Sequence, residues 1–509
     1  MSRIVPDALL SQLSEFIAAR MGLHFPRARW HDLERAIVSA AGDFAHQDPE
    51  SCIRWLLASP LTRRQIEILS THLTVGETYF FREKASFDSL GKSILPQLIR
   101  ARGNERSLRI WSAGCSTGEE PYSVAILLTE LLRDRKDWNI TILATDINAL
   151  ALHRASQGVY KEWSFRDVAP GLREKYFDRT KDGHFELAQQ VKELVTFAHV
   201  NLADDAYPAL ETNTNAMDII FCRNVLMYFE PDCARKVIHK FHHALIEGGW
   251  LIVSPAEASH TLFSPFITCN FPGAILYKKD SSRARETLST GPIPGLPLEE
   301  PGMQRHPLPG LDAEPLVAGF VQGAGRMPQV ETPERKAETP EPTPYQEASD
   351  LYKQGRYAEA VEKIKVGLSR DPHDARTMVL LARAYANQGR LAEALEWCRA
   401  AVGADQLNPG WRYLLATVLQ EQGRDEEALM ALKHALYLDS GYALAHFALG
   451  NLTRRQGKVR DSDRHYRNAL SVLSRCRPQE LLPDAAGITA GRLAEIIRST
   501  ILGEAVNER

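Results

Sequence analysis

Several features that would narrow the function are missing from this chain of 509 residues. Its seven cysteines are scattered and form no C-x-x-C pair, which argues against a zinc site or a disulfide framework and favours a reducing compartment. The net charge is −3, so no basic field indicates nucleic-acid binding. Long apolar runs and a signal-peptide pattern are also lacking. We therefore expect a cytoplasmic protein without metal, nucleic acid or direct membrane insertion.

What is present divides the chain into regions of different pattern. Residues 1–85 carry apolar side chains at helical spacing. Residues 86–280 alternate strand and helix patterns, which predicts a mostly parallel sheet with helices on its faces; an irregular stretch near 160–200 is interpreted as a small insertion at the sheet edge. Residues 281–343 are dense in proline and glycine and predict a linker. The predicted strands are Leu108–Trp111, Ile140–Thr145, Val195–Val200, Met217–Cys222, Trp250–Val253 and Ala274–Tyr277.

A repeat follows the linker. Similar segments begin at Gly355, Gly389, Gly423 and Gly457, and each glycine lies 34 residues after the last. A helix–turn–helix unit of this period is the tetratricopeptide pattern, which predicts an all-α superhelix of four repeats over 344–476. A capping helix at Leu493–Ile501 would close the array within the tail 477–509. Such arrays usually bind a peptide or protein segment on their concave surface; a role as a spacer or a dimer contact is the alternative.

The segment Ser112–Tyr122 joins a predicted strand to a predicted helix and is the most informative part of the chain. Its small residues would let a ligand approach the backbone closely, and Glu119 and Glu120 stand at the start of the helix. These carboxylates would repel a phosphate, whereas they suit a ligand with hydroxyls or positive charge. S-adenosylmethionine has a sulfonium, an ammonium and a ribose diol. A tight turn with a carboxylate-capped helix would explain the same residues without any ligand.

Three further segments have the same two interpretations, structural or functional. The aromatic-rich stretch Leu73–Glu83 is either the start of a core helix or a lid over a ligand. Asp146 ends a predicted strand, where an acid either caps a helix or accepts hydrogen bonds from a ribose diol. The segment Phe221–Glu230 places a polar Arg-Asn pair after another strand, followed by Tyr228, which is either half-buried core or directed toward a ligand.

Together these segments resemble the CheR family of chemoreceptor methyltransferases over roughly residues 5–280. The matching motifs are Thr78–Glu83, Ser116–Ser123, Asp146–Asn148 and Phe221–Phe229. The resemblance implies a protein-glutamate O-methyltransferase that uses S-adenosylmethionine and releases S-adenosylhomocysteine. It also implies an N-terminal helical domain, a Rossmann-like α/β domain and a small β-subdomain near 160–200. The substrate would be the cytoplasmic domain of a methyl-accepting chemoreceptor.

The resemblance also implies roles for single residues. Gly76 stands where the family often has asparagine, so one hydrogen bond to the cofactor would be lost or replaced. Spacing alone does not decide between Glu119 and Glu120 as a cofactor contact, and the former is favoured. Tyr228 would lie near the transferred methyl group. The other implied contacts are Thr78 and Arg82 at the methionine end, Asp146 at the adenosine, Asn201 and Leu202 at the adenine, and Arg223 and Asn224 completing the site.

The main expectation is an active receptor methyltransferase whose repeats dock a protein or peptide partner. A hypothesis from another class is a non-catalytic scaffold that binds S-adenosylmethionine and acts through its repeats. Some family members bind a receptor tail through the β-subdomain. The short turn at Asp182–Gly183 predicts that this chain does not depend on such a tether, and the repeats would supply effective concentration instead.

Overall fold

A computed structural model describes residues 5–132, 134–204, 207–280, 343–485 and 487–505. Of these, the residues up to Asp280 and those from Pro344 onward belong to one compact unit. The predicted linker at 281–343 lies outside the described residues except for its last residue. Among the helices that the structure describes, none is long and apolar enough to cross a bilayer.

The N-terminal region is helical, as its periodicity predicts. Its first helices enclose an apolar core that includes Leu10, Leu13 and Ile17, all fully buried. Polar side chains fix the helix starts: the Asp48 side chain accepts a hydrogen bond from the Ser51 N–H, and Thr62 opens a capping box. The helices are α1 Asp7–Met21, α2 Trp30–Asp43, α3 Pro49–Leu57, α4 Arg63–Leu73, α5 Lys84–Ser89 and α6 Leu95–Ala101.

A seven-stranded sheet follows within the described residues, in the order β6-β2-β1-β7-β8-β10-β9. The first five strands of this order pair in parallel, and β10 and β9 complete the sheet antiparallel. All six predicted strands are present, whereas β9 was not predicted. The strands are β1 Ser107–Ala113, β2 Asn139–Asp146, β6 Val195–His199, β7 Met217–Phe221, β8 Leu245–Ile252, β9 Ile267–Phe271 and β10 Ala274–Lys278, and the main helices on the sheet are α7 Glu119–Leu131, α8 Ala149–Gln157 and α11 Pro231–Ala244.

The insertion after α8 forms a small antiparallel sheet. Its strands are β3 Val159–Tyr160, β4 Phe177–Arg179 and β5 Phe185–Leu187, and the K-D-G-H turn joins β4 to β5. Two short helices, α9 Pro170–Tyr176 and α10 Gln189–Lys192, complete it. Strand β6 belongs to the main sheet, so the insertion ends earlier than the predicted limit near residue 200.

The repeats form four antiparallel helix pairs in the described residues. Gly355, Gly389, Gly423 and Gly457 follow the first helix of each pair with φ between +72° and +73°, a left-handed conformation that favours glycine. The pairs are α12 Pro344–Lys353 and α13 Tyr357–Arg370, α14 Ala375–Asn387 and α15 Leu391–Ala404, α16 Pro409–Glu421 and α17 Asp425–Leu438, and α18 Ala443–Arg455 and α19 Val459–Leu473, followed by the final helix α20 Ala490–Ala505, which is longer than predicted.

Candidate active site

A cavity of about 260 Å³ opens at the carboxyl edge of the main sheet. The chain passes from β1 to β2 and β6 on one side and returns to β7 on the other, so the strand order reverses between β1 and β7. Open α/β sheets bind ligands at such a switch point. The wall is built from residues 114–116, 120, 146–148, 151, 200–202, 223–225 and 227–229 of the sheet domain, and from residues 21, 23, 73–78 and 82 of the N-terminal region.

The turn after β1 brings its backbone to the cavity. Gly114 has φ +88°, and a Cβ placed on it would lie 2.3 Å from Cγ2 of Val225. Gly118 has φ +91°, and its Cβ would lie 2.9 Å from Cβ of Ala155. Larger side chains are excluded at both positions, which is why this connection requires small residues.

Asp146 is fixed at the end of β2 by two backbone hydrogen bonds. Its Oδ2 accepts from the N–H of Ser116 at 2.8 Å, and its Oδ1 accepts from the N–H of Asn148 at 2.8 Å. Burial raises the pKa of Asp146, and these hydrogen bonds act in the opposite direction. Each carboxylate oxygen can accept a further hydrogen bond, so Asp146 is held ready to accept from a ligand in the cavity.

Glu120 belongs to an ionic network around the buried side chain of Arg223. Oε1 of Glu120 accepts from Ser112 Oγ at 2.7 Å, and Nη1 of Arg223 lies 3.1 Å from Oε2 of Glu120. The same guanidinium reaches Oε2 of Glu83 at 2.9 Å. Burial raises the pKa of Glu120, and Arg223 opposes this shift. One guanidinium thus faces two carboxylates, which favours positive charge in a bound ligand.

The Glu119 side chain has different hydrogen-bond partners from that of Glu120. Its carboxylate is buried and accepts hydrogen bonds from Thr117 Oγ1 at 2.6 Å and from Ser164 Oγ at 3.0 Å, so it ties the turn to the insertion. Burial raises the pKa of Glu119. Among the described residues that line the cavity, Glu120 is present and Glu119 is not. Glu120 is therefore the better placed of the two adjacent acids for contact with a ligand, and the sequence-based preference for Glu119 as a cofactor contact stays a prediction.

The remaining predicted residues are brought together at the cavity. Gly76 approaches the turn after β1, because its carbonyl accepts from Ser116 Oγ at 3.1 Å. Asn201 Nδ2 donates to the carbonyl of Arg20 at 2.9 Å and so joins the end of α1 to the cavity wall. Their contacts with a cofactor stay predictions. The wall contains Gly76, Thr78, Arg82, Asp146, Asn201, Leu202, Arg223, Asn224 and Tyr228.

Sequence reasoning missed Glu257, which supports the loop after β7. Its carboxylate accepts from the N–H groups of Asn224 at 2.7 Å and Val225 at 2.8 Å, and from Ser254 Oγ at 2.8 Å. Asn224 has φ +57°, an uncommon conformation for asparagine that these bonds hold in place. The S-x-x-E pattern at 254–257 indicates a capping box, although it does not indicate the contact with Asn224.

The residues of the cavity fit S-adenosylmethionine in chemistry. The charged side chains of its wall are two arginines and three carboxylates, namely Arg82 and Arg223 against Glu77, Glu120 and Asp146. Ile147, Val200 and Leu202 offer an apolar surface for a flat base. Within the described residues, no group of three or more histidine, cysteine, aspartate or glutamate side chains could hold a metal ion.

Comparisons with known proteins agree with this description. Residues 76–272 match the family model described as "CheR methyltransferase, SAM binding domain", and residues 345–410 and 412–442 match tetratricopeptide repeat models. The chemotaxis protein methyltransferase of Vibrio parahaemolyticus is 36% identical over 280 residues, which cover 54% of this chain and 98% of the relative.

A second relative matches over a longer stretch of the chain. The probable biofilm formation methyltransferase WspC of Pseudomonas aeruginosa is 29% identical over 323 residues, 62% of this chain and 74% of the relative. Among solved structures, MamA of Desulfovibrio magneticus covers 26% of this chain and 75% of its own length, at 20% identity and a TM-score of 0.25. That structural similarity is too low to support an inference.

Proposed function

The chain belongs to the CheR family of methyltransferases, and on this premise we propose that it transfers a methyl group from S-adenosylmethionine to glutamate side chains of methyl-accepting chemoreceptors. The observation that carries the proposal is the convergence of Glu120 and Asp146 on a cavity at the switch point of the sheet. Both acids are half-buried at the cavity wall, and both face a space that a cationic ligand with a ribose can fill.

The parts of the cavity suit the parts of this cofactor. Asp146 would accept from the ribose diol, and Glu120 would face the positively charged methionine portion. Thr78 and Arg82 would bind the methionine carboxylate. Gly76 has no side chain, so a backbone group would make the hydrogen bond to the cofactor that asparagine makes in other family members. Asn201 and Leu202 would border the adenine, beside the apolar surface of Ile147. Glu119 would act only by holding the insertion in place.

The main role of this chain's residues is to position the two reactants and not to transfer protons. When bound, S-adenosylmethionine supplies a methyl group on a positively charged sulfur. A receptor glutamate is already ionised at neutral pH, because its ordinary pKa is about 4.3, so no general base is needed. Tyr228, half-buried at the cavity wall with the Arg29 guanidinium 5.4 Å from its ring centre, would orient the incoming carboxylate and help to exclude water.

The test uses purified full-length protein, labelled S-adenosylmethionine and a receptor cytoplasmic domain. The expected product is base-labile methyl ester on glutamate, located by mass spectrometry. Asp146→Asn should abolish most of the transfer, whereas Asp178→Asn, at an exposed position of the insertion, should leave it unchanged. Label on a small molecule or a nucleic acid would contradict the proposed substrate. Cofactor binding without transfer to any receptor would instead favour the scaffold hypothesis.

The repeats are part of the same proposal as a binding module. Their match to tetratricopeptide models supports a role in binding a protein or peptide partner, which would bring the methyltransferase and its substrate together.

A further inference from the structure

One face of the repeat array is lined by the first helix of each pair, and we name this face the first-helix groove. Other segments of the same chain lie in it. It carries Tyr352 of α12, Arg383 of α14 and Tyr413 of α16. Leu210, from the connection between β6 and β7, is buried in the apolar cluster of the repeats. The neighbouring Glu211 lies close enough to Tyr352, Arg383 and Tyr413 to influence their ionisation. The methyltransferase domain therefore places an aliphatic–acidic pair in the groove.

A second segment, between α19 and α20, lies in the same groove. The carbonyl of Asp484 accepts from Nη2 of Arg383 at 2.8 Å, and its Oδ2 accepts from the hydroxyl of Tyr442 at 3.1 Å. Ile488 is buried in the same apolar cluster as Leu210. The groove is therefore lined by groups that bind acidic and carbonyl oxygens, and both occupants come from this chain.

Glu211 and Arg383 attract each other through their charges, but the hydrogen bonding of both side chains is incomplete. Burial raises the pKa of Glu211, and the Arg383 guanidinium opposes this shift. Oε2 of Glu211 and Nε of Arg383 are both buried without a hydrogen-bond partner. Buried polar atoms without partners cost free energy, so another carboxylate with better geometry can compete for this position.

A neighbouring contact between the repeats and the sheet is more complete. Asn215 is fully buried, and its Nδ2 donates to Oε1 of Glu421 at 3.2 Å. Asn139 Nδ2, at the start of β2, donates to the carbonyl of Glu421 at 2.6 Å. Leu210 and Glu211 can consequently leave the groove while the repeats stay attached to the amino edge of the sheet through Glu421.

We propose that Leu210–Glu211 is an internal ligand of the first-helix groove, and that the external ligand is a peptide segment with an aliphatic residue followed by a carboxylate. Such a segment takes the place of Leu210 in the apolar cluster and of Glu211 beside Arg383. The partner of the repeats is therefore an acidic protein segment that must displace part of the methyltransferase domain before it binds.

Displacement of Leu210–Glu211 also affects the cofactor cavity, and this consequence rests on the proposed function. The connection that carries Leu210 begins at Asn201 and Leu202, in the cavity wall. The hydroxyl of Tyr207 donates to the carbonyl of Leu202 at 2.7 Å, and Nδ2 of Asn201 donates to Asp204 at 3.2 Å. Releasing Leu210 loosens this wall, so occupancy of the groove by a partner and cofactor binding oppose each other, reciprocally.

The test measures binding of a fluorescent peptide with the sequence of residues 207–215, YPALETNTN, to the full-length protein by anisotropy. The wild-type protein should bind it weakly, because its own segment fills the groove. The double variant with Leu210→Ala and Glu211→Ala should bind it at least ~10-fold more tightly. Adding Arg383→Gln to that variant should remove the gain, whereas Arg376→Gln, an exposed arginine on the same helix, should not.

Two results would overturn the proposal. One is equal binding of the peptide to the wild-type protein and the double variant. The other is a folded double variant that binds no peptide or is insensitive to Arg383→Gln. If the double variant does not fold, Glu211→Gln alone should still increase peptide binding a few-fold, and no increase would contradict the proposal.

Calorimetry with S-adenosylmethionine completes the experiment, because the double variant should bind the cofactor several-fold more weakly than the wild type. Equal affinity would overturn the coupling between groove and cavity. If no form of the protein bound S-adenosylmethionine, the proposed function would fail, while the peptide titrations would still decide what occupies the groove.

Discussion

The two edges of the main sheet use acids with raised pKa values in opposite ways. At the amino edge, Asp218 accepts from Nε of Arg102 at 2.9 Å and from the N–H of Arg109 at 2.8 Å. At the carboxyl edge, Asp146 also accepts two hydrogen bonds, but it lines a cavity. Burial raises the pKa of both acids.

This comparison shows that a buried acid with a raised pKa does not identify a binding site by itself. The difference lies in what surrounds it. Asp218 is only 1% exposed and is matched by the charge of Arg102, so its interactions are complete within the protein. Asp146 and Glu120 lie in a wall with more carboxylates than arginines and with space in front of them. Variants that affect either stability or ligand affinity, but not both, therefore test whether the amino edge is structural and the carboxyl edge binds the ligand.

The largest expected effect is on stability at the amino edge. Asp218→Asn removes the buried charge that faces half-buried Arg102, and breaking an ion pair with a buried member costs up to roughly 3–5 kcal/mol of unfolding free energy. Chemical denaturation should show this loss. Asp137→Asn, which removes an exposed pair with Arg106, should cost at most about 1 kcal/mol. The affinity of the folded Asp218→Asn protein for S-adenosylmethionine should be unchanged; a large decrease would contradict the assignment of the two edges.

The next effect separates two adjacent acids at the carboxyl edge. Glu120→Gln removes a charge that faces the cavity, and loss of a charged hydrogen bond, about 1.5–3 kcal/mol, corresponds to a roughly 10- to 150-fold weaker affinity for S-adenosylmethionine. Glu119→Gln should change that affinity less than about threefold and lower stability by about 0.5–1.5 kcal/mol, because its partners are Thr117 and Ser164. Calorimetry and thermal denaturation measure the two effects, and the reverse order would support the sequence-based preference for Glu119.

Much of the fold follows from local sequence pattern, whereas the finer features of the site depend on distant contacts. Buried strands are apolar runs, and the repeat glycines recur every 34 residues, so both are visible in the sequence. Successive helical residues point about 100° apart, and nothing local indicates that Ser164 would attract Glu119 instead of Glu120. Leu210 lies in a polar connection without periodicity, and its burial depends on repeats that begin far along the chain.

The pH dependence of ligand binding should also differ between charged and neutral ligands. Because the pKa values of Glu120 and Asp146 are raised, these carboxylates take up protons at a higher pH than ordinary carboxylates, which titrate near pH 4. S-adenosylmethionine must displace those protons, so its affinity should fall as pH decreases, by up to about tenfold per pH unit for each proton released. S-adenosylhomocysteine lacks the sulfonium and should show a shallower dependence in calorimetry. Equal slopes would indicate that Glu120 does not face the positive charge.

The smallest effect tests whether the two edges are independent of the repeats. Arg492 of α20 lies 3.5 Å from Asp204, which in turn accepts from Asn201 in the cavity wall. Both side chains of this ion pair are partly exposed, so Arg492→Gln should weaken cofactor binding by about 0.2–1 kcal/mol, a change of less than about sixfold. Arg498→Gln, at an exposed position of the same helix, is the matched control and should have no effect. A decrease specific to Arg492 would mean that the carboxyl edge responds to the repeats through this short path, although it is distant from the repeat interface at Glu421. If the two variants do not differ, the influence of the repeats is limited to the amino edge.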